Sequence, residues 1–134
     1  MFDAITWVIF RRYLYKWKYK GFKCSFFSFV DTKTKFSEFN KLHFSSIVKD
    51  SVIGRFTYIA GARVQSCNIG SFCSIGSGSR VGGLGRHPTT WLSTHPVFFS
   101  TNNQANITLV EKNYFTENKR VDIGNDVWIG SKVI

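Results

Sequence analysis

The stretch IGSFCSIGSGSRVGGLGR at residues 69–86, together with IGNDVWIGSKVI at residues 123–134, decides the fold. Written in sixes, these stretches and IGRFTY at residues 53–58 give blocks that open with Ile or Val and continue with Gly. The fifth residue of each block is small or modest in size. A period of six matches neither the turn of a helix nor the simple alternation of a strand, and it fits a short strand followed by a turn.

The repeat has a geometric explanation. The aliphatic residue points inward and stacks on its equivalents in neighbouring coils, while the glycine takes a backbone conformation that a Cβ would resist. One coil cannot bury its apolar face alone, so successive coils stack into a continuous core. We therefore predict an all-β, parallel β-helix over residues 52–134, with a slip in period at Ile59, Val64 and Ile69. A run of β-hairpins with glycine turns is the alternative.

The repeat divides the chain into regions. Residues 1–35 form an aromatic and basic N-terminal segment, and residues 36–134 form the β-helix domain. Between about residues 88 and 120 the repeat stops, and this stretch holds both prolines of the chain. The repeat resumes afterwards, so the stretch is predicted to be a loop inserted in the β-helix. Long loops in compact domains are more often functional than idle.

The N-terminal segment allows two structures and two roles. Trp7, Phe10, Leu14 and Trp17 recur at helical spacing, whereas residues 13–20 alternate aromatic and basic side chains as a strand would. We favour a helix over the first dozen residues. Residues 1–23 could contact a membrane interface with their Trp, Tyr and Lys side chains. Alternatively, they form a lid whose aromatic rings pack on the end of the β-helix, and this second role is favoured.

Charge and cysteine content narrow the function classes. The net charge of +10 attracts polyanions, among them anionic lipid, nucleic acid and coenzyme A. Cys24, Cys67 and Cys73 have neither a disulfide pattern nor zinc-site spacing, so reduced thiols in the cytoplasm are expected. The N-terminus does not resemble a signal peptide, and its apolar run is too short to span a bilayer. No nucleic-acid motif is present.

His87 is the candidate catalytic residue. Counting in sixes from Ile69 places it where the next inward aliphatic is due, at the point where the chain leaves the coil. A histidine at the root of a long loop on a rigid scaffold suits general-base catalysis, although a structural role is the alternative. His95 is interpreted as loop packing and His43 as structural.

The segments GRHPTTWLSTHPVFF (85–99) and DIGNDVWIG (122–130) resemble the hexapeptide-repeat acetyltransferases. The resemblance covers about residues 36–134 and is closest to the branch of antibiotic and polysaccharide O-acetyltransferases. It implies a left-handed winding, acetyl-CoA as acyl donor without a metal, and a saccharide or similar hydroxylated acceptor. It further implies a homotrimer in which His87 is the general base. Trp91 would wall the acceptor pocket, and Asn125 and Trp128 would lie at the donor site.

The chain departs from the family by ending at Ile134, within a repeat. Family members continue through further coils that supply much of the coenzyme A site, so C-terminal coils are expected to be missing.

Three hypotheses about function follow. The first is an acetyl-CoA-dependent O-acetyltransferase in the cytoplasm, with peripheral membrane contact as an option. The second is a truncated, inactive β-helix with a structural or interaction role. The third is a basic module that binds anionic lipid or nucleic acid through residues 1–23.

Overall fold

The computed structural model describes residues 5–134. The chain forms two compact units: residues up to Gly83 together with Arg120–Ile134, and the segment Leu84–Lys119. The first unit is called the solenoid here, and the second the loop unit. In residues 5–134, thirteen short strands follow one another: β1 (Lys23–Cys24), β2 (Phe29–Val30), β3 (Lys35–Phe36), β4 (Lys41–Leu42), β5 (Ile47–Lys49), β6 (Val52–Ile53), β7 (Tyr58–Ile59), β8 (Arg63–Gln65), β9 (Cys67–Ile69), β10 (Ser74–Ile75), β11 (Arg80–Val81), β12 (Val121–Ile123) and β13 (Trp128–Ile129).

The strands form three parallel sheets, each containing every third strand of the chain. The strand orders are β1-β4-β7-β10-β13, β2-β5-β8-β11 and β3-β6-β9-β12. A chain that visits three sheets in rotation is a β-solenoid. The structure therefore confirms the predicted all-β fold, and it is consistent with a left-handed β-helix.

The interior of the solenoid is filled by three columns of apolar side chains. Register pairing stacks residues of the same kind on successive coils, and most of them are fully buried. The valine column contains Val30, Val48, Val64 and Val81, and the two others contain Phe36, Ile53, Ile69 and Ile123, and Cys24, Leu42, Ile59, Ile75 and Ile129. Each fully buried aliphatic side chain stabilises the fold by about 1.5–3 kcal/mol.

Three of the small fifth residues of the repeat face the interior as predicted, and two of them have a second role. Thr57, Cys73 and Ser79 are buried. The Thr57 hydroxyl donates to the Gly70 carbonyl oxygen (2.8 Å), and the Ser79 hydroxyl donates to the Gly130 carbonyl oxygen (2.7 Å). These hydroxyls satisfy carbonyl groups in the turns of the next coil.

The role predicted for the repeat glycines is wrong. Gly54, Gly70 and Gly76 are not among the residues with positive φ; the left-handed position lies two residues later, as at Phe56 and Phe72. At Gly54, Gly70 and Gly76, a Cβ would collide with the backbone of the adjacent coil. For example, a Cβ at Gly54 would lie 2.6 Å from the backbone nitrogen of Ser71.

On three successive coils, the turn residue with positive φ is a phenylalanine. Phe39, Phe56 and Phe72 have positive φ, which is uncommon for residues other than glycine. Their rings stack almost parallel, with centroid distances of 4.9 Å between Phe39 and Phe56 and 5.3 Å between Phe56 and Phe72. This stacking offsets part of the cost of the backbone conformation.

The solenoid begins earlier than residue 52, where the repeat was first recognised. Strands β1 to β5 belong to the same three sheets as the later strands. Its first strand thus lies within residues 1–35, although the domain boundary at 35/36 stays a prediction. The block VGGLGR (81–86) is also not a coil: after β11 the chain passes through Gly82 and Gly83, both with positive φ, into the loop unit.

Consequently His87 does not occupy the next inward position above Ile69. That position is taken by Ile123, which pairs with Ile69. The six-residue count failed because the chain leaves the repeat after Val81 and resumes it only at Val121.

Residues near the N-terminus form a helix that packs on the first coil. A π-helical turn (Trp7–Arg11) continues into α1 (Arg12–Lys18). The Trp7 indole is buried and donates to the Ser28 carbonyl oxygen (2.6 Å). Tyr15 and Tyr19 pack edge-on against Phe36, with centroid distances of 6.2 and 5.9 Å. A helix is therefore present and packs as a lid on the first coil, but it extends to Lys18 rather than ending after the first dozen residues. The prediction for residues 1–4 lies outside the described residues.

Candidate active site in the loop unit

His87 is exposed and held in one orientation by the backbone. Its Nδ1 lies 2.8 Å from the carbonyl oxygen of Thr94. A carbonyl oxygen can only accept, so Nδ1 carries the proton of the neutral ring and donates it to this bond. The other ring nitrogen, Nε2, is then unprotonated. An imidazole in this tautomer can accept a proton from a hydroxyl group that approaches Nε2.

Phe99 brings His87 and Trp91 together. Phe99 is fully buried, and the rings of both residues meet it edge-on, at centroid distances of 6.2 Å for His87 and 6.1 Å for Trp91. Phe115 completes the cluster through contacts with Trp91 (6.0 Å) and Phe99 (5.6 Å). Such edge-on pairs favour one arrangement of the rings, so they position His87 and Trp91 relative to each other.

An open cavity adjoins Trp91 within the loop unit. Its volume is about 230 Å³, and it is lined by Trp91, Leu92, Ser93 and Phe98. The lining is mainly apolar, with one hydroxyl group, which is the usual character of a small-molecule pocket.

Hydrogen bonds to Glu117 hold the loop that carries His87 in place. Its carboxylate accepts hydrogen bonds from Ser100 (2.8 Å), Asn102 (3.1 Å) and Gln104 (2.9 Å). Its backbone carbonyl accepts a bond from the backbone N–H of Arg86, the residue before His87 (2.9 Å). One acidic residue thus links the root of the loop to its far side.

The predicted donor-site residues, Asn125 and Trp128, belong to the solenoid. The Asn125 side-chain oxygen accepts a bond from the Ser71 backbone N–H (2.8 Å), and the next residue, Asp126, has positive φ. This is the turn expected for that block. Trp128 points outward from β13 and is 82% exposed. Its indole is therefore accessible to a ligand.

The two other histidines have structural contacts. His95 Nδ1 accepts a bond from the Val97 backbone N–H (3.2 Å) and caps the 3₁₀ helix Pro96–Phe98. His43 packs against Tyr58 at a centroid distance of 5.9 Å.

The cysteines are interior thiols. All three are free, and Cys67 and Cys73 are buried. Burial raises the pKa of the Cys67 thiol, which favours its neutral form. A buried neutral thiol is a poor nucleophile. In residues 5–134 no cluster of His, Cys, Asp or Glu could hold a metal ion.

Several residues of the site were not predicted. Thr94, Phe99, Phe115 and Glu117 act through contacts that form when the loop folds back on itself, and the six-residue repeat does not extend to them. The sequence VFFS (97–100) contained an indirect signal, since a phenylalanine pair in a polar loop suggests that one ring is buried.

Comparison with known proteins points to one class. A chloramphenicol acetyltransferase from Agrobacterium fabrum is 45% identical over 73 residues, which cover 49% of this chain and 32% of the relative. Chloramphenicol acetyltransferases from Klebsiella aerogenes and Morganella morganii are each 40% identical over 73 residues, covering 53% of this chain and 34% of each relative. No family model matches the chain.

The matched region spans about a third of the length of these curated relatives. The β-solenoid and the named relatives together support the hexapeptide-repeat acetyltransferase family. Within that family, the relatives that match carry the name chloramphenicol acetyltransferase.

Proposed function

We propose that the protein is an acetyl-CoA-dependent O-acetyltransferase with His87 as general base. The observation that carries this proposal is the hydrogen bond from His87 Nδ1 to the Thr94 carbonyl oxygen, because it leaves Nε2 free to accept a proton. The named relatives support acyl transfer as the reaction class.

In the proposed reaction, Nε2 of His87 removes the proton of the acceptor hydroxyl as its oxygen attacks the thioester carbonyl carbon. A new C–O bond forms, and the C–S bond then breaks. The imidazolium returns its proton to the departing thiolate, so the ring ends neutral. The Thr94 carbonyl holds the ring and stabilises the positive charge that forms on it. No covalent enzyme intermediate is needed.

The acceptor is proposed to be a saccharide or similar small hydroxylated compound that binds in the cavity beside Trp91. The lining supports this proposal, since Trp91, Leu92 and Phe98 offer apolar surface and Ser93 offers a hydroxyl group. The relatives named for chloramphenicol make that compound the second acceptor to test. A role in polysaccharide biosynthesis belongs to the same proposal.

The donor is proposed to bind near Asn125 and Trp128, and the protein to assemble as a homotrimer. The exposed Trp128 indole supports a ligand contact, because an aromatic side chain left in water gains free energy on being covered. Replacing Trp128 by Ala is then expected to weaken acetyl-CoA binding.

The decisive experiment compares His87→Ala with the matched control His95→Ala. Release of free coenzyme A thiol from acetyl-CoA is followed in the presence of sugar acceptors and of chloramphenicol. His87→Ala should lower the rate by about 10²–10⁴-fold, the usual contribution of a general base. His95→Ala should retain most of the rate. Equal loss in both variants, or activity retained in His87→Ala, would contradict the role given to His87.

Calorimetric titration of acetyl-CoA tests the donor without knowledge of the acceptor. Saturable binding by the folded chain supports the proposal. A folded chain that binds no acetyl-CoA contradicts it, and the hypothesis of an inactive β-helix with a structural role then replaces it.

A further inference from the structure

The N-terminal helix has two faces, and only one of them packs on the solenoid. The inner face buries Trp7 and contributes Tyr15 to the core. The opposite face exposes large apolar side chains: Trp17 is 88% exposed and Ile9 is 69% exposed. Membrane contact and a lid were posed as alternatives from the sequence, yet they require different faces of the same helix.

The exposed face continues onto the first coils of the solenoid. Arg12 lies with its guanidinium over both the Tyr13 ring (5.6 Å) and the Phe26 ring (4.9 Å). Phe26 packs against Phe27 at a centroid distance of 5.2 Å. We call this surface the outer patch; its exposed members are Ile9, Phe10, Tyr13, Trp17, Phe26 and Phe27. Contiguous exposed apolar surface on a soluble protein marks an interaction site.

The chain segment that carries the outer patch holds charges of one sign. Residues 5–30 contain six Lys or Arg and no Asp or Glu. Lys16 lies beside the patch, with its Nζ 6.0 Å from the centroid of the Tyr13 ring. Lys18 is exposed at the end of the helix, and Lys20 forms an exposed ion pair with Glu38 (3.8 Å). A second copy of this chain would bring an equally positive surface into contact, which like-charge repulsion opposes. An anionic surface would instead complement the patch.

We propose that the outer patch docks the protein on an anionic lipid bilayer, with the helix lying in the plane of the interface. A basic helix with bulky apolar side chains on one face enters the headgroup region in this way. Trp17 and Tyr13 suit that region because their rings are apolar with a polar group. Lys16 and Lys18 are attracted by the negative surface potential of the leaflet. The proposed docking is peripheral. Among residues 5–134, every helix falls short of the length and apolar character that spanning a bilayer requires.

The test is co-sedimentation of the 134-residue protein with vesicles of phosphatidylcholine alone and with vesicles that also contain phosphatidylglycerol. The protein should bind the mixed vesicles and not the neutral ones. Binding should weaken with added salt, because surface charges are screened. Failure to bind the mixed vesicles, or equal binding to both, would overturn the proposal without recourse to any variant.

Matched variants then assign the binding to the outer patch. Ile9→Asn should lower the partition onto mixed vesicles by about tenfold or more, since it removes an apolar side chain that the bilayer would cover. The control Ile107→Asn changes an isoleucine that is 57% exposed in the loop unit and should bind as the unchanged protein does. Circular dichroism checks that both variants are folded.

Charge is tested in the same assay. The double variant Lys16→Gln with Lys18→Gln should lower the partition onto mixed vesicles by about tenfold or more, since each cation near an anionic leaflet contributes about fivefold.

Two results would overturn the proposal. One is an equal loss of vesicle binding in Ile9→Asn and Ile107→Asn. The other is an oligomer, seen by sedimentation velocity, that Ile9→Asn dissociates while no vesicle binding is found; that result would assign the patch to a second copy.

Discussion

The solenoid and the loop unit are ordered by different parts of the chain. In the solenoid, backbone N–H groups donate to carbonyl oxygens of the next coil, as Gly54 does to Ile69 (2.7 Å) and Gly70 does to Ile123 (2.9 Å). In the loop unit, side chains carry much of the order, through the Glu117 carboxylate and the buried ring of Phe99.

This difference affects how each unit responds to change. A backbone ladder requires close approach of coils and is sensitive to any atom that separates them. A side-chain network is sensitive to the loss of its central acceptor or ring. The backbone hydrogen bonds of the solenoid do not depend on the side chains of the loop unit. The loop that carries His87 can therefore vary in sequence while the solenoid stays ordered.

The largest effect is expected when a repeat glycine of the solenoid is replaced by alanine. In Gly54→Ala the new Cβ would lie 2.6 Å from the Gly70 carbonyl oxygen, which is backbone and cannot move without breaking the ladder. The free energy of unfolding should fall by about 3 kcal/mol. The control is Gly124→Ala, because among the described residues no atom lies within 4 Å of a Cβ built there. Denaturant unfolding measures both; similar losses would show that coil spacing is not the cause.

A smaller effect is expected at Glu117 in the loop unit. Glu117→Ala removes the acceptor of three side-chain hydrogen bonds. The free energy of unfolding should fall by about 2 kcal/mol, because water replaces only part of these bonds. Hydrogen exchange should rise in residues 84–119 and stay unchanged in the solenoid strands. The exposed Glu111 provides the control variant Glu111→Ala. Increased exchange across the solenoid would mean that the two units do not open separately.

The smallest effect is the pH dependence from Cys67. Burial raises the pKa of this thiol in the folded protein above the value of 9.0 for a free thiol. The unfolded chain therefore releases the proton first, and the free energy of unfolding falls as pH rises from about 9 through the folded pKa. Replacing Cys67 by Ala should remove this part of the slope. An identical slope in the variant would assign the decline to other groups.

Sequence reasoning found the later coils because their signal repeats. Five Ile–Gly pairs, which begin at residues 53, 69, 75, 123 and 129, mark turns of the solenoid, and core positions follow from them. The coils before residue 52 carried a weaker signal that was overlooked: apolar residues recur every six positions at Cys24, Val30, Phe36, Leu42 and Val48. The residues after them are polar and not glycine, so the search for glycine missed these coils.

The candidate site was predicted in part. The sequence predicts His87 and Trp91 as site residues, and both contact Phe99. Their partners could not be derived, because the bond from His87 to Thr94 and the Glu117 network depend on how an irregular loop folds back on itself. Such contacts leave no period in the sequence.

The corner between the second and third sheets has a consequence for the history of the molecule. On one coil a single residue, Ser66, separates β8 from β9, whereas on the next coil the same corner between β11 and β12 holds the whole loop unit. The chain nevertheless returns to the correct rung, with Val121 paired to Cys67. An ancestral gene could thus gain, lose or exchange a loop at this corner without any compensating mutation in the core, so new specificities could arise by insertion.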